Sequence, residues 1–276
     1  MLTKFTYSMA ENILQVQDVC LTLGGNLILD KVNFQIKNII RPDAIAGQVV
    51  GLLGPSGIGK TQLFHILAGL KHATSGQVLI GDPGIPVHRG MVGVVAQQSP
   101  LFMHRTVLGN LLIAGRRSGK TEEQTQAKAQ SLLDRFRMTD RATHYPAMLS
   151  GGQRQRVAIA QQIMCSESFL LMDEPFSGLD LIALRKVQDL IREIATADEL
   201  NTIIVVTHDI GVALEVCDTI HLLGRNSDQH GKFVPGARIQ ASYNLIERGL
   251  AWRKDISTTP EFLDCLKEIR ERFTIL

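Results

Sequence analysis

"QVVGLLGPSGIGKT", Gln48 to Thr61, decides the fold. Its first seven residues have the length and apolar density of a buried strand. They run straight into "GPSGIGKT", where Gly54, Gly59, Lys60 and Thr61 occupy the fixed positions of G-x-x-x-x-G-K-[S/T]. The following "KTQLFHILAGL" reads as a helix with Leu63, Phe64, Leu67 and Leu70 on its apolar side. A strand, a glycine-rich loop and a helix in this order make a phosphate cradle. The backbone of Gly54, Pro55, Ser56, Gly57, Ile58 and Gly59 is expected to wrap phosphate oxygens. Glycine permits the close approach and the conformations that a Cβ would disfavour. Lys60 then carries positive charge to the β- and γ-phosphates, and the Thr61 hydroxyl is a ligand for Mg²⁺.

On the N-terminal side, "ILQVQDVCLTL" alternates apolar and polar residues, "GGN" turns the chain, and "LILDKVNFQI" alternates again. "KNIIRPDAIAG", with Pro42 and Gly47, reads as an irregular link before the buried strand. On the C-terminal side, "MVGVVA", "FLLMD", "TIIVVT" and "TIHLL" are short apolar runs separated by helical segments, as in a parallel sheet with crossover helices. From about Pro100 to Cys165 helical signals dominate instead: "TVLGNLLIAGRR", "TEEQTQAKAQSLLDRFRM" and "GGQRQRVAIAQQIM". The expected class is α/β, with a phosphate-loop core, an N-terminal antiparallel β part and an inserted helical subdomain. After Leu223 the reading is a polar loop, "GRNSDQHGKFVPG", and a terminal amphipathic helix, "TPEFLDCLKEIRERF". The expected division is a main domain over 11–230 and a short extension over 231–276.

Three of the strand ends carry polar groups, and the C-terminal edge of an open α/β sheet is where ligands bind. "FLLMDEP" delivers Asp173, suited to hold Mg²⁺ through water, and Glu174, which points elsewhere and can act on an attacking water. "VVTHD" delivers His208, and "MVGVVA" is followed by Gln97. Each alone reads equally well as a solvated turn residue; the cradle upstream is what favours function. A second anion grip lies far downstream in "LSGGQRQR", where Ser150 precedes Gly151 and Gly152 at a helix start. An ordinary Ser-Gly N-cap would have the same local geometry.

In order, "GPSGIGKT", Gln97 in "AQQSPLF", "LSGGQRQR", "FLLMDEP", "SGLD" and "VVTHD" resemble the nucleotide-binding subunits of ATP-binding cassette (ABC) transporters. "LSGGQ" upstream of a strand ending in Asp-Glu is the most specific part, since phosphate-loop proteins in general lack it. The resemblance runs from about Ile13 to Leu223 and explains the two grips. It implies a head-to-tail dimer, of identical or sister subunits, with ATP and Mg²⁺ at the interface. The loop of one copy holds the nucleotide, and Ser150, Gly151, Gly152 and Gln153 of the other close over its γ-phosphate. It further implies Glu174 as general base and His208 as a γ-phosphate contact. Gln97 would contact Mg²⁺ or water and sense the transport partner, Asp173 would hold Mg²⁺, and Asp180 of "SGLD" would link the two sites. The adenine-stacking aromatic of many members falls at about Leu23, which can pack on a base without aromatic stacking.

Bulk properties limit the partners. The chain has 276 residues, 45% hydrophobic residues and a formal net charge of +2, which gives no general push toward nucleic acid. Cys20, Cys165, Cys217 and Cys265 are scattered without ligand spacing, as for reduced cytosolic thiols. No stretch approaches the roughly 20 apolar residues of a spanning helix. The expectation is a cytoplasmic ATPase, peripheral on the inner membrane face, bound to separate integral permease subunits and served by a substrate-binding protein. "LLMDEPFSGLD" and the tail resemble the nitrate, sulfonate and taurine importers. The competing class is a soluble ABC ATPase acting on nucleic acid, ribosomes or a protein complex; no coiled-coil insertion and no second cassette support it. A kinase or GTPase would leave "LSGGQ" unexplained.

Overall fold

The computed structural model describes residues 8–40, 47–96, 100–116, 120–166, 169–196, 202–253 and 255–276. The chain opens with an antiparallel hairpin of β1 (Ser8–Leu23) and β2 (Asn26–Ile40), turned by Gly24 and Gly25. In β2, Val32, Phe34 and Ile36 are buried while Lys31, Asn33 and Gln35 face solvent, the period-2 pattern of a strand with one wet face. Next come β3 (Gln48–Leu53), buried at every residue, and α1 (Lys60–Leu67). β4 (Ser75–Ile80) and the two-residue β5 (Ile85–Pro86) extend the antiparallel part beside β1. β6 (Gly93–Val95) leads to a helical lobe of α2 (Val107–Gly115), α3 (Glu122–Arg135) and α4 (Gly151–Cys165). The core resumes with β7 (Phe169–Asp173), α5 (Leu181–Ala195), β8 (Thr202–Thr207), α6 (Ile210–Val216) and β9 (Thr219–Ser227). β10 (Phe233–Asn244) and α7 (Pro260–Phe273) follow.

Among the described residues one ten-stranded sheet has the order β5-β4-β1-β2-β10-β9-β3-β8-β7-β6. Its core strands β6, β7, β8, β3 and β9 run parallel, so their Asp173, Thr207 and Leu53 ends lie on one edge. The alternation within each core run decides which face a residue covers. Val49, Leu53, Leu170, Met172, Ile203 and Val205 pack with the helical lobe, α5, α6 and α7. Val50, Leu52, Phe169, Leu171, Ile204 and Val206 pack under α1 and the N-terminal hairpin. Both faces are covered, which is why these runs are apolar at their interior positions.

The helical lobe starts and stops where capping chemistry places it. Thr106 caps α2, Thr121 and Gln124 form a capping box on α3, and Ser150 and Gln153 form one on α4. The α/β class, the antiparallel N-terminal part and the inserted helices stand as expected from the sequence.

Three local readings need correction. Lys37–Ile40, read as the start of an irregular link, continue β2, and 41–46 of that link lie outside the described residues. "SGQVLI" forms β4, a strand the apolar runs did not reveal because its first three residues are exposed. The polar loop after Leu223 is a hairpin. Asp228 turns it, its carboxylate accepting from His230 N and Lys232 N, and β10 returns along β9. Pro235 and Gly236 read as breakers, but they fall where the register shifts between Phe233 and Ala237, so no ladder bond is demanded of them.

His221 on β9 gives this sheet a pH dependence. It is buried, with Nδ1 2.7 Å from Ser242 Oγ and its ring 4.8 Å from that of Phe34. Burial holds its pKa at about 4, against an ordinary 6.5. Between those values the unfolded chain binds a proton that the folded chain refuses. Stability therefore falls as pH drops from 6.5 toward 4, by about 3 kcal/mol in all. Urea titrations across this range should show that slope, and His221→Phe should flatten it.

Candidate functional site

The glycine-rich loop joins β3 to α1 and rests on neighbours at both ends. A Cβ on Gly54 would lie 2.5 Å from the carbonyl oxygen of Leu223 on β9, so only glycine fits there. Gly59 is the N-cap of α1 at φ 110°, a region L side chains rarely adopt, and a Cβ there would lie 3.0 Å from Ile28 Cγ2. Lys60 is buried and donates from Nζ to Gly54 O at 2.7 Å and Pro55 O at 3.1 Å. Its pKa is lowered by burial, an effect opposed by the nearby Glu174 and Asp173 carboxylates. Asp173 is raised by burial and by Glu174, while His65 and Lys60 pull it down.

Glu174 follows β7 directly with φ 48°, a left-handed conformation costly for a residue with a Cβ. The neighbouring strand holds it there. Its backbone N–H donates to Val206 O at 2.8 Å, and its two carboxylate oxygens are both engaged. Thr207 Oγ1 donates to Oε2 at 3.1 Å, and His208 Nδ1 lies 2.9 Å from Oε1. With a carboxylate as acceptor, Nδ1 is a donor, and Nε2 makes no other hydrogen bond among the described residues. The tertiary structure thus gathers Lys60, Asp173, Glu174 and His208 at one sheet edge.

The second grip is a separate group. Ser150 Oγ accepts from Gln153 N at 3.3 Å, and Gln153 Oε1 accepts from Ser150 N at 2.9 Å. Arg154 ties the same start to Leu149 O, and Gln155 donates to Pro175 O at 3.1 Å, linking α4 to the turn after Glu174. Asp180 caps α5, its Oδ1 accepting from Ile182 N and Ala183 N. Ser150, Gly152, Gln155, Asp180 and Ile182 line a cavity of about 280 Å³ that no residue of the glycine-rich loop borders. Leu181 and Ile182 beside it are largely exposed apolar side chains.

Leu23 ends β1, half-buried, and belongs with Ile28 to the apolar group that includes Ile58. Gln97 lies outside the described residues. Sequence reasoning missed Thr207 as the anchor of Glu174, and Ile28 and Leu223 as the supports of the loop. Thr207 was visible as a strand-end hydroxyl; the two supports are ordinary apolar residues that only the strand order brings to the loop. The hydroxyl of Thr61 and the carboxylate of Asp173 are hard oxygen donors of the kind Mg²⁺ prefers, so the donor set fits that ion. No helix among the described residues is long and apolar enough to cross a membrane.

Residues 38–177, about half the chain, match the family described as ABC transporter. That stretch holds the loop, "LSGGQ" and Glu174, but not His208. The sulfate/thiosulfate import ATP-binding protein CysA of Ralstonia nicotianae is 37% identical over 77% of this chain and 56% of its own length. The protein of the same name from Escherichia coli (strain K12) is 39% identical over 70% of this chain and 54% of its own. The chain thus spans little more than half the length of these relatives. The structure of CbiO1 from Clostridium perfringens, described as part of the ABC transporter complex cbiONQ, aligns with a TM-score of 0.72 over 95% of this chain and 97% of that one. At 24% identity that likeness concerns the fold.

Proposed function

The chain belongs to the ABC transporter family, and from that premise we propose that it is the ATP-hydrolysing subunit of an importer, working as a dimer on separate permease subunits at the inner membrane face. One observation carries the reading: the loop with Lys60 and the start of α4 with Ser150 both suit anions, and the cavity at Ser150 is bordered by no residue of the loop. Head-to-tail pairing gives each a partner. The loop and Lys60 hold the phosphates of one nucleotide, while Ser150, Gly151, Gly152 and Gln153 of the second copy close over it. Exposed Leu181 and Ile182 suit a surface that becomes buried on pairing. Asp180 lines the same cavity as Ser150 and precedes Leu181 and Ile182, which supports a role for it in linking the two sites.

Thr61 and Asp173 would hold Mg²⁺, which would supply charge neutralisation for the phosphates. Glu174 accepts a proton from the attacking water, and Thr207 and His208 fix its carboxylate so that it faces the phosphates. His208 would give a γ-phosphate oxygen an Nε2–H donor, both ring nitrogens then serving as donors. Leu23 packs against the base, and Gln97 reports the nucleotide state to the permease. The main domain over 11–230 would carry all of this chemistry. Among importers, the relatives' names favour an inorganic oxyanion such as sulfate or thiosulfate over the nitrate, sulfonate and taurine group.

Saturating Mg·ATP should convert the purified chain from monomer to dimer in size-exclusion chromatography. Lys60→Ala should abolish the conversion and weaken ATP binding at least about tenfold, since a desolvated charge-assisted contact is lost. In membranes, the chain should co-purify with an integral protein. Stable capture of nucleic acid or ribosomes instead would favour the soluble ABC ATPase, and full turnover by a strict monomer would reject the dimer.

A further inference from the structure

Both ends of the glycine-rich loop lean on strands that the β9–β10 hairpin holds together. Gly54 abuts Leu223 of β9, and Gly59 abuts Ile28 and Leu29 of β2. Yet β2 does not pair with β3. Between them stand β10 and β9, so the N-terminal hairpin reaches the loop by way of β10. The backbone ladder from β10 to β2 is slight: Ala237 bridges Leu29 in parallel register, and no further pair extends it among the described residues. Side chains supply the rest. Gly236, at φ 90°, lets β10 lie flat on β2, where a Cβ would stand 2.6 Å from Asp30 Cβ and 2.9 Å from Leu27 Cδ2. Two residues on, Arg238 Nη2 pairs with Asp30 Oδ2. The side chains are 37% and 22% exposed, so solvent screens the pair only in part. Asp30 follows Ile28 and Leu29 directly, so this contact sets how far the end of the β1–β2 hairpin leans over Gly59.

We infer that Asp30 and Arg238 are a positioning pair for the nucleoside end of the ATP pocket, acting through Ile28 and Leu23 without touching the nucleotide. The inference rests on the ATP-binding reading above. The loop and Lys60 offer N–H donors and charge, which suit phosphates. Leu23 and Ile28 offer only apolar surface, which suits a base and ribose. Loosening the pair moves that surface away from the loop while leaving the phosphate grip in place.

The test compares ATP with inorganic tripolyphosphate, which has the phosphates and no nucleoside. Asp30→Ala and Arg238→Gln should each raise the Kd and KM for ATP about fivefold, the equivalent of one partly shielded ion pair. The value of kcat and the Kd for tripolyphosphate should stay at wild-type levels. The exchanged pair Asp30→Arg with Arg238→Asp should recover most of the ATP affinity. Arg238→Gln keeps the bulk of the side chain and carries the test should Asp30→Ala fail to fold. Unchanged ATP affinity in both single variants overturns the inference, as does an equal loss for ATP and tripolyphosphate, which would mark general damage to the loop. A wild-type chain that binds neither ligand overturns the ATP reading itself, an outcome distinct from either.

Discussion

Glu174→Gln should cut ATP turnover by about two to four orders of magnitude while leaving ATP binding intact, the range set by loss of a positioned general base. The structure makes the substitution unusually selective. Glu174 keeps its left-handed backbone through the bond from its N–H to Val206 O, which the amide does not disturb. One side-chain oxygen remains to accept from Thr207 or His208. The basicity toward water is what disappears. The nucleotide then persists at the interface, so the variant should remain an ATP-bound dimer after the wild type has hydrolysed its ATP and returned to monomer. Single-turnover hydrolysis and size exclusion with Mg·ATP measure the two halves. Turnover within severalfold of wild type would remove Glu174 from the chemistry.

Asp218→Ala should lower the stability of the whole chain by about 4 kcal/mol, because it strands the buried Val49 N–H and the part-buried Trp252 indole N–H, each worth about 1–3 kcal/mol when left unpaired. Asp218 is fully buried between α6 and β9. Its Oδ2 accepts from Val49 N at 2.8 Å, and its Oδ1 accepts from Trp252 Nε1 at 2.5 Å. Its own backbone exchanges with Val49 O and Leu245 N. The carboxylate therefore pins the start of β3 and the segment before α7, while the backbone carbonyl of the same residue ties the end of β10. Trp252 is the single tryptophan of the chain, so its fluorescence follows urea unfolding at the lesion itself. Trp252→Phe removes one donor together with its partner bond and should cost clearly less than Asp218→Ala. A loss below about 1 kcal/mol for Asp218→Ala would show that water reaches those donors. β3 ends at the glycine-rich loop, so a partly destabilised variant should also bind ATP more weakly.

Much of the fold was legible because its signals are local. A run buried on both faces, such as β3 or β8, is apolar at its interior positions, and the chain records that directly. Caps are equally local: Ser150 with Gln153 announces α4 within four residues. The hairpin of β9 and β10 was not legible. Pro235 and Gly236 argue against a strand unless a register shift excuses them, and that shift exists only in relation to β9. β4 hid for a similar reason, with an exposed first half that carries no apolar period.

The sequence by itself determined the chemistry: a glycine-rich loop ending in Lys60 and Thr61, carboxylates at Asp173 and Glu174, and a second helix start at Ser150, in an order that names the family. Those features depend on residue type and on spacing along a few consecutive residues, which the chain states outright. Only the tertiary structure decided that Thr207 and His208 grip Glu174, that Asp218 ties Val49 to Trp252, and that β10 sits between β2 and β9 to support the loop. Such contacts join residues far apart along the chain. Their partners are set by strand order and register, which follow from burying both faces of a whole sheet and leave no mark on any one segment.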